Sequence, residues 1–307
     1  MPINLIAKPV DYRLHTTQPD STASLSYDTE PLTDTLGEAV LDTLSEAIND
    51  TGILIYTIDL NAYPVDYRLT TRVPKTTPTG NPGRTNLISW WDLDEPSGAR
   101  ADSHGSNNLT DTNTVTSVTG KVNVAADFDG GNEESLEIAD NDSLSMADIG
   151  MTIGCWMSDI QVGSAATLDL LTKWGAAGNY EYAIQMVKSA TGQKPQLIVS
   201  GDGTNTTTIA ASVEITDGNW HFIVAWHDPT ANTINIQLDN ATATSASHTT
   251  GIFDGNSKFC MAARSSGVTN VWTGSIDEAF IYRRVLTSAE RTWLYNSGNG
   301  RSYSELE

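Results

Sequence analysis

The sequence predicts an all-β chain: one large antiparallel two-sheet sandwich over residues 86–307, preceded by an extended N-terminal arm with one short helix. Three observations predict it. Short apolar or alternating runs recur from Leu87 onward with Gly, Asn and Asp between them, the rhythm of strands joined by turns. Hydrophobic residues make up 39% and charged residues only 18%, so the helix formers Lys, Glu and Gln are scarce while Thr, Ser and Asn fill the remainder. A β-sandwich can run past ~200 residues as one unit. A chain of 307 residues therefore suits one large domain plus an extension.

The arm, residues 1–73, carries one hexapeptide twice. Pro9-Val10-Asp11-Tyr12-Arg13-Leu14 returns as Pro64-Val65-Asp66-Tyr67-Arg68-Leu69, and Thr16 returns as Thr71. Solenoid repeats need three or more stacked copies, so two separated copies predict one peptide docking twice onto a repeated partner surface; pairing of the copies with each other is the alternative. Alternation of Val, Tyr and Leu with Asp and Arg suits an extended strand added to a sheet edge. Between the copies, Thr35 and Glu38 have capping-box spacing and Leu36, Val40, Leu44 and Ile48 follow at four-residue intervals, which predicts a helix over 36–49. Ile53, Leu54, Ile55, Tyr56 and Ile58 predict a strand over 52–60. So small an apolar surface implies that the arm orders on a partner. Pro74, Pro78, Gly80, Pro82 and Gly83 among threonines mark a linker over 74–85.

The sandwich then reads strand after strand. Runs lie over 87–91, 135–138, 151–157, 167–174, 180–187, 196–199, 206–213, 220–226, 233–238, 258–262 and 274–282. In the run that starts at Trp220, the residues Trp220, Phe222, Val224 and Trp226 share one face; His221 and Ile223 share the other, so His221 is expected to be partly buried. After the last strand Thr287 caps a short helix, with Glu290 at the capping-box position and Trp293 and Leu294 on one side. Cys155 and Cys260 sit in apolar runs far apart in sequence and are expected to be buried free thiols.

Six segments, in order, carry a family resemblance over essentially all of residues 87–299. Leu87-Ile88-Ser89-Trp90-Trp91-Asp92 looks like an opening strand, Arg100-Ala101-Asp102-Ser103-His104-Gly105-Ser106-Asn107-Asn108-Leu109 like the Asp-Ser-x-Gly-x-x-x-Leu loop after it, and Phe128-Asp129-Gly130 like a Phe-Asp-Gly turn. Met151-Thr152-Ile153-Gly154-Cys155-Trp156-Met157 looks like a Thr-Ile-x-x-Trp strand, and Asp217-Gly218-Asn219-Trp220-His221-Phe222 matches a Trp-His-aromatic signature. The most specific match is Gly274-Ser275-Ile276-Asp277-Glu278-Ala279-Phe280-Ile281-Tyr282-Arg283-Arg284-Val285-Leu286-Thr287 to Gly-x-Ile-Asp-Glu-x-x-Ile-Tyr-x-Arg-x-Leu-Ser. Together these segments resemble the laminin-G-like branch of the concanavalin A-like lectin and glucanase superfamily. That resemblance implies a jelly-roll sandwich; the fold carries adhesion, sugar binding and virion attachment on unrelated loops.

Charge and spacing exclude several activities. A formal charge of −21 leaves no basic face to displace counterions, which excludes nucleic-acid binding and disfavours anionic membranes. The Asp-rich composition fits either turn chemistry with divalent-cation loops or solubility in salt. No stretch is long and apolar enough to span a bilayer, and the N-terminus lacks the basic-then-apolar order of a secretory signal, so release by lysis, as for a virion component, is expected. No Glu-x-Asp-x-x-Glu strand is present, Asp277 and Glu278 are adjacent and expected to point to opposite faces, no serine lies in a nucleophile elbow, and no Cys/His cluster has zinc spacing. The chain is therefore expected not to be an enzyme.

Two candidate sites remain. The loop 102–108 supplies the oxygens a hard cation takes, and the resemblance implies a structural calcium between that loop and the late Ile-Asp-Glu motif, with Asp102, Asn107 and Asp277 as ligands. An Asx turn at Asp102 and a strand-crossing cap at Asp277 are the alternative. Trp174, before a Gly-rich loop, and Trp272, near Asn270, are the tryptophans least clearly in a core pattern and are candidates for a sugar platform, with packing as the alternative. The expectation is a virion structural protein, a capsid decoration or tail-associated protein, on the virion exterior. It would dock through its arm onto the major capsid protein or a tail protein, display a weakly glycan-binding sandwich, and form a homo-oligomer by arm exchange. A secreted or cell-surface carbohydrate-binding adhesin is the alternative.

Overall fold

The computed structural model describes residues 43–48, 54–62 and 65–73 as backbone strands, and residues 80–158, 167–264 and 270–307 in full. The chain divides into two compact units, residues 1–76 and 77–307.

In the first unit β1 (Thr43–Ile48), β2 (Leu54–Ala62) and β3 (Val65–Val73) form an antiparallel sheet in that order. β1 corrects the helix expected over 36–49: Thr43 pairs with Asp59 and Ile48 with Leu54. A lone helix of that length is marginal in water, whereas the apolar strand that follows offers a ladder partner, and pairing overrides the local stripe. Residues 36–42 lie outside the described residues, as do Pro9, Val10, Asp11, Tyr12, Arg13 and Leu14 of the first motif copy, Pro64 of the second, and residues 74–79 of the linker. The rest of the second copy opens β3 in the extended form its alternation predicts, with Val65 opposite Ala62, Tyr67 opposite Leu60 and Leu69 opposite Ile58.

The second unit is the antiparallel two-sheet sandwich expected. Its strands are β4 (Leu87–Trp91), β5 (Thr110–Thr112), β6 (Thr116–Thr119), β7 (Val124–Phe128), β8 (Ser135–Ile138), β9 (Met151–Ser158), β10 (Leu168–Trp174), β11 (Tyr180–Lys188), β12 (Gln193–Ser200), β13 (Thr206–Ala210), β14 (Trp220–Asp228), β15 (Thr233–Leu238), β16 (Thr244–Ser247), β17 (Phe259–Met261) and β18 (Gly274–Tyr282). A seven-stranded sheet runs β13-β12-β11-β10-β17-β8-β5; an eight-stranded sheet runs β16-β15-β14-β9-β18-β7-β6, with β4 also paired to β18.

The inner faces meet in a core that includes Trp91, Ile153, Leu171, Ile184, Leu197, Ile223, Phe259 and Ile281. A second apolar layer lies on the outer face of the eight-stranded sheet, where Trp90, Trp156, Phe222, Val224, Phe280 and Tyr282 are covered by Leu286, Leu294 and Leu306. The alternation read in β14 is thus real, but its aromatic face is the outer layer and Ile223 and Ala225 face the main core. The cover is α1 (Ser288–Tyr295), which Thr287 and Glu290 start with the expected capping box, and the tail that follows it. Covered on both sides, β18 is buried along its whole length. Cys155 and Cys260 are free and buried, and His221 is half-buried between Asp239 and Asp217.

Candidate functional site

The loop between β4 and β5 is built around one carboxylate. Asp102 Oδ1 accepts from the backbone N–H of Trp90 (3.1 Å), His104 (3.0 Å) and Gly105 (2.9 Å), and Oδ2 accepts from that of Asn107 (3.0 Å). The Asn107 amide donates to the Ser89 and Ser143 hydroxyls, and its oxygen accepts from Asn141. Asp277 faces a different turn, accepting through Oδ2 from the Val122 N–H at 2.8 Å. The calcium set Asp102, Asn107 and Asp277 therefore does not fit this geometry, because protein donors already occupy the oxygens of the first two; Asp102 holds an Asx turn. Among the described residues no group of three or more His, Cys, Asp or Glu is placed to hold a metal ion.

β18 carries a bulge. Asp277 pairs with Trp156 while Phe280 pairs with Gly154, so β18 has one residue more than β9 over this stretch, and Glu278 adopts φ of 46°. The extra residue turns Asp277 and Glu278 to the same outer side, which corrects the expectation that they point to opposite faces. Glu278 Oε2 accepts from the Trp90 indole N–H at 2.5 Å, while Glu278 Oε1 and Asp277 Oδ1 are buried without a partner. Burial, joined by the charges of Asp277 and Asp92, pushes Glu278 up to about 11, and burial pushes Asp277 up to about 8. Both hold their protons at neutral pH in a closed place, which suits neither a general base nor a nucleophile.

The outer face of the seven-stranded sheet is built differently. In β11, Tyr182, Ile184 and Met186 enter the core, so Ala183 and Gln185 point outward. Register carries the outward row across the sheet: Gln185 lies opposite Asp169 and Gln196, Ala183 opposite Thr172 and Ile198, and Thr172 opposite Cys260. Asp169 and Thr172 are nevertheless buried, because the chain that leaves β17 folds over them. Thr172 Oγ1 donates to the Ala263 carbonyl (2.7 Å), and Arg264 Nε donates to Asp169 Oδ2 (2.5 Å). Gln185 donates to Asp169 Oδ1 at 2.7 Å. The Asn270 carbonyl accepts from the Asp169 N–H (2.8 Å), and with its side-chain oxygen turned to Arg264 it accepts from Nη2 at 3.0 Å. The guanidinium lies 6.0 Å from the Trp174 ring centre, and Trp174 stacks on half-buried Tyr180 at 4.4 Å and 8°.

Arg264 thus brings together two of the residues singled out by sequence, Trp174 and Asn270. Trp174 is 2% exposed, so the ring offered to solvent in this stack is that of Tyr180. Trp272 is corrected: its backbone N–H bonds the Ala262 carbonyl and its ring is fully buried in the inner core, out of reach of any ligand. Sequence reasoning missed Asp169, Gln185, Tyr180 and Arg264. The available signal was Asp169 and Gln185 as polar residues inside apolar strand runs, a pattern that marks an outward position under cover.

A family model described as the concanavalin A-like lectin/glucanases superfamily matches residues 129–290, more than half of the chain. Among solved structures, the binding domain of Paraclostridial Mosquitocidal Protein 1 is similar at TM-score 0.57 and 17% identity, over 70% of this chain and 53% of that one. Domain 4 of AbnA, a GH43 extracellular arabinanase from Geobacillus stearothermophilus in complex with arabinotriose, is similar at TM-score 0.52 and 17% identity, over 67% of this chain and 97% of that one. A structure of botulinum neurotoxin type C, whose cell entry is described as dependent upon interaction with two ganglioside molecules, gives TM-score 0.54 and 12% identity, over 70% of this chain and 52% of that one. The chain spans about half the length of the two toxin chains. Among curated proteins no sequence matches.

Proposed function

The chain belongs to the concanavalin A-like lectin/glucanase superfamily, and from that premise we propose that it is a lectin-like binding module that takes a glycan on the outer face of its seven-stranded sheet. The observation that carries this reading is the contrast between the two outer faces. That of the eight-stranded sheet is closed by α1 and the tail over an apolar layer. That of the seven-stranded sheet carries, among the described residues, Arg264, held over the buried row of Asp169, Thr172 and Gln185, beside the stack of Trp174 and Tyr180. Rigid hydrogen-bonding groups next to an aromatic edge suit a sugar, which offers hydroxyls to one and C–H faces to the other. Structural neighbours named for arabinotriose and gangliosides support the same ligand class. Hydrolysis is no part of this reading, since Asp277 and Glu278 are sealed and protonated. On a glycan array followed by titration of the best hit, Arg264→Ala and Tyr180→Ala are each expected to weaken binding at least about tenfold without lowering the melting temperature below the working range. Binding unchanged in both variants rejects this face.

We further propose that the module sits on a virion exterior, as a capsid decoration or tail-associated protein, and that its N-terminal segment docks it, as a homo-oligomer, on a repeated component such as the major capsid protein. The twin hexapeptide supports this, one copy of it being an extended strand in β3. A secreted or cell-surface adhesin would use the same glycan face without needing the repeat. Tyr12→Ala combined with Tyr67→Ala is expected to abolish attachment to particles and spare glycan binding; attachment that survives the double variant favours the adhesin.

A further inference from the structure

We propose that Asp169 sets the ligand charge this face accepts: by neutralising Arg264 it makes the face select neutral glycans over those carrying carboxylates. The inference rests on the glycan reading above and narrows its ligand class. The Arg264 guanidinium lies 6.0 Å from the Trp174 ring of the aromatic stack, and on an open face a guanidinium recruits carboxylates through paired N–H donors. Here one of those donors, Nε, is held by Asp169 at 2.5 Å, and Nη2 is turned to Asn270 at 3.0 Å. Asp169 is fully buried, and among the described residues Arg264 is its one ionic partner. A ligand carboxylate that drew Arg264 toward itself would leave a buried charge uncompensated, and one that approached without doing so would meet the charge of Asp169.

Two further cations of this face, Lys258 and Lys194, each lie near a carboxylate. Lys258 pairs with Glu137 at 2.6 Å on the strand beyond Cys260, and Lys194 lies within the field of Glu214. What the cluster still offers a ligand carries no net charge: Nη1 of Arg264, whose charge Asp169 compensates and for which no acceptor is found among the described residues, and the half-buried Tyr180 ring. Those groups recognise hydroxyl oxygens and a C–H face.

The test uses the full chain against pairs of neutral oligosaccharides and their uronic-acid counterparts of equal length, at ~0.15 M salt so that the −21 net charge is largely screened. Wild type is expected to bind neutral members at least about tenfold more tightly than acidic ones, and Asp169→Asn, which keeps an acceptor oxygen for Arg264 while Gln185 turns its own amide oxygen to the new NH2, to reduce that ratio at least about tenfold. Asp228→Asn, an equal charge change at the end of β14, is expected to leave the ratio alone. Should Asp169→Asn fail to fold, Asn270→Asp supplies the reverse arm: a second carboxylate on Nη2 of Arg264 should make the preference for neutral ligands grow. Equal or tighter binding of acidic members by wild type, or a ratio that Asp169→Asn and Asp228→Asn change alike, overturns the inference and leaves the glycan reading standing. Binding of neither class overturns the glycan reading itself.

Discussion

Glu278 is 2% exposed and bonded through one oxygen only, so its charge would meet neither solvent nor cation. With its pKa lifted to about 11, the folded chain keeps a proton that the unfolded chain releases above pH ~4.3. The contribution of this group to stability is therefore fullest below that pH and is lost as pH rises toward the folded value. Glu278→Gln keeps an acceptor for Trp90 and removes the titration. The variant is expected to exceed the parent in stability at pH 8, by on the order of 1–3 kcal/mol, and to match it near pH 4, as urea unfolding at both pH values will show. Gly154 answers to the same bulge: a Cβ there would meet the Ile223 carbonyl oxygen and Phe280 Cζ, each at 2.7 Å. Gly154→Ala is expected to lose ~2 kcal/mol or more in the same assay. Neither constraint was legible in the sequence, where Asp277-Glu278 reads as regular alternation; the bulge exists only in the register between β18 and β9.

At the scale of elements, the C-terminal helix is a lid on the second apolar layer rather than an ornament of the sandwich. Its start is fixed by the Thr287 and Glu290 capping box and by Arg284, which meets Glu290 at 2.8 Å, and its Leu294 is 2% exposed. Thr287→Ala is expected to cost about 1 kcal/mol and Leu294→Ala about 2–4 kcal/mol, with loss of tryptophan fluorescence change tracking exposure of Trp90 and Trp156. Both were readable from spacing alone. Strands were legible where apolar residues alternate or dominate, as in β4, β15 and β18, and invisible where they do not: β5, β6 and β16 are built mainly of Thr and Ser, and β7 is centred on two alanines. The candidate site was legible by half. Trp174 and Asn270 stood out locally, but Arg264 reaches Asp169 across 95 positions of sequence, and only the pairing of β10 with β17 brings them together.

Over the whole molecule the charge of −21 is the one global property that no local motif cancels. The ion pairs of the described residues leave that net charge in place, and salt shortens the reach of its repulsive field to ~8 Å at physiological strength. The melting temperature is therefore expected to rise between ~0.01 M and ~0.15 M salt, whereas a chain held mainly by surface ion pairs would move the other way.

The two thiols sit at different depths of this architecture. Cys155 lies in the inner core between the sheets, while Cys260, with burial pushing its thiol up to about 12, lies in the outward row of the seven-stranded sheet opposite Thr172. Alkylation of the first needs the sheets to part; alkylation of the second needs only a local opening of that outer face. The protein therefore carries two native clocks, one for global unfolding and one for breathing of the outer face, and a bound ligand that seats on that face should slow the second while leaving the faster-quenched comparison with denaturant to the first.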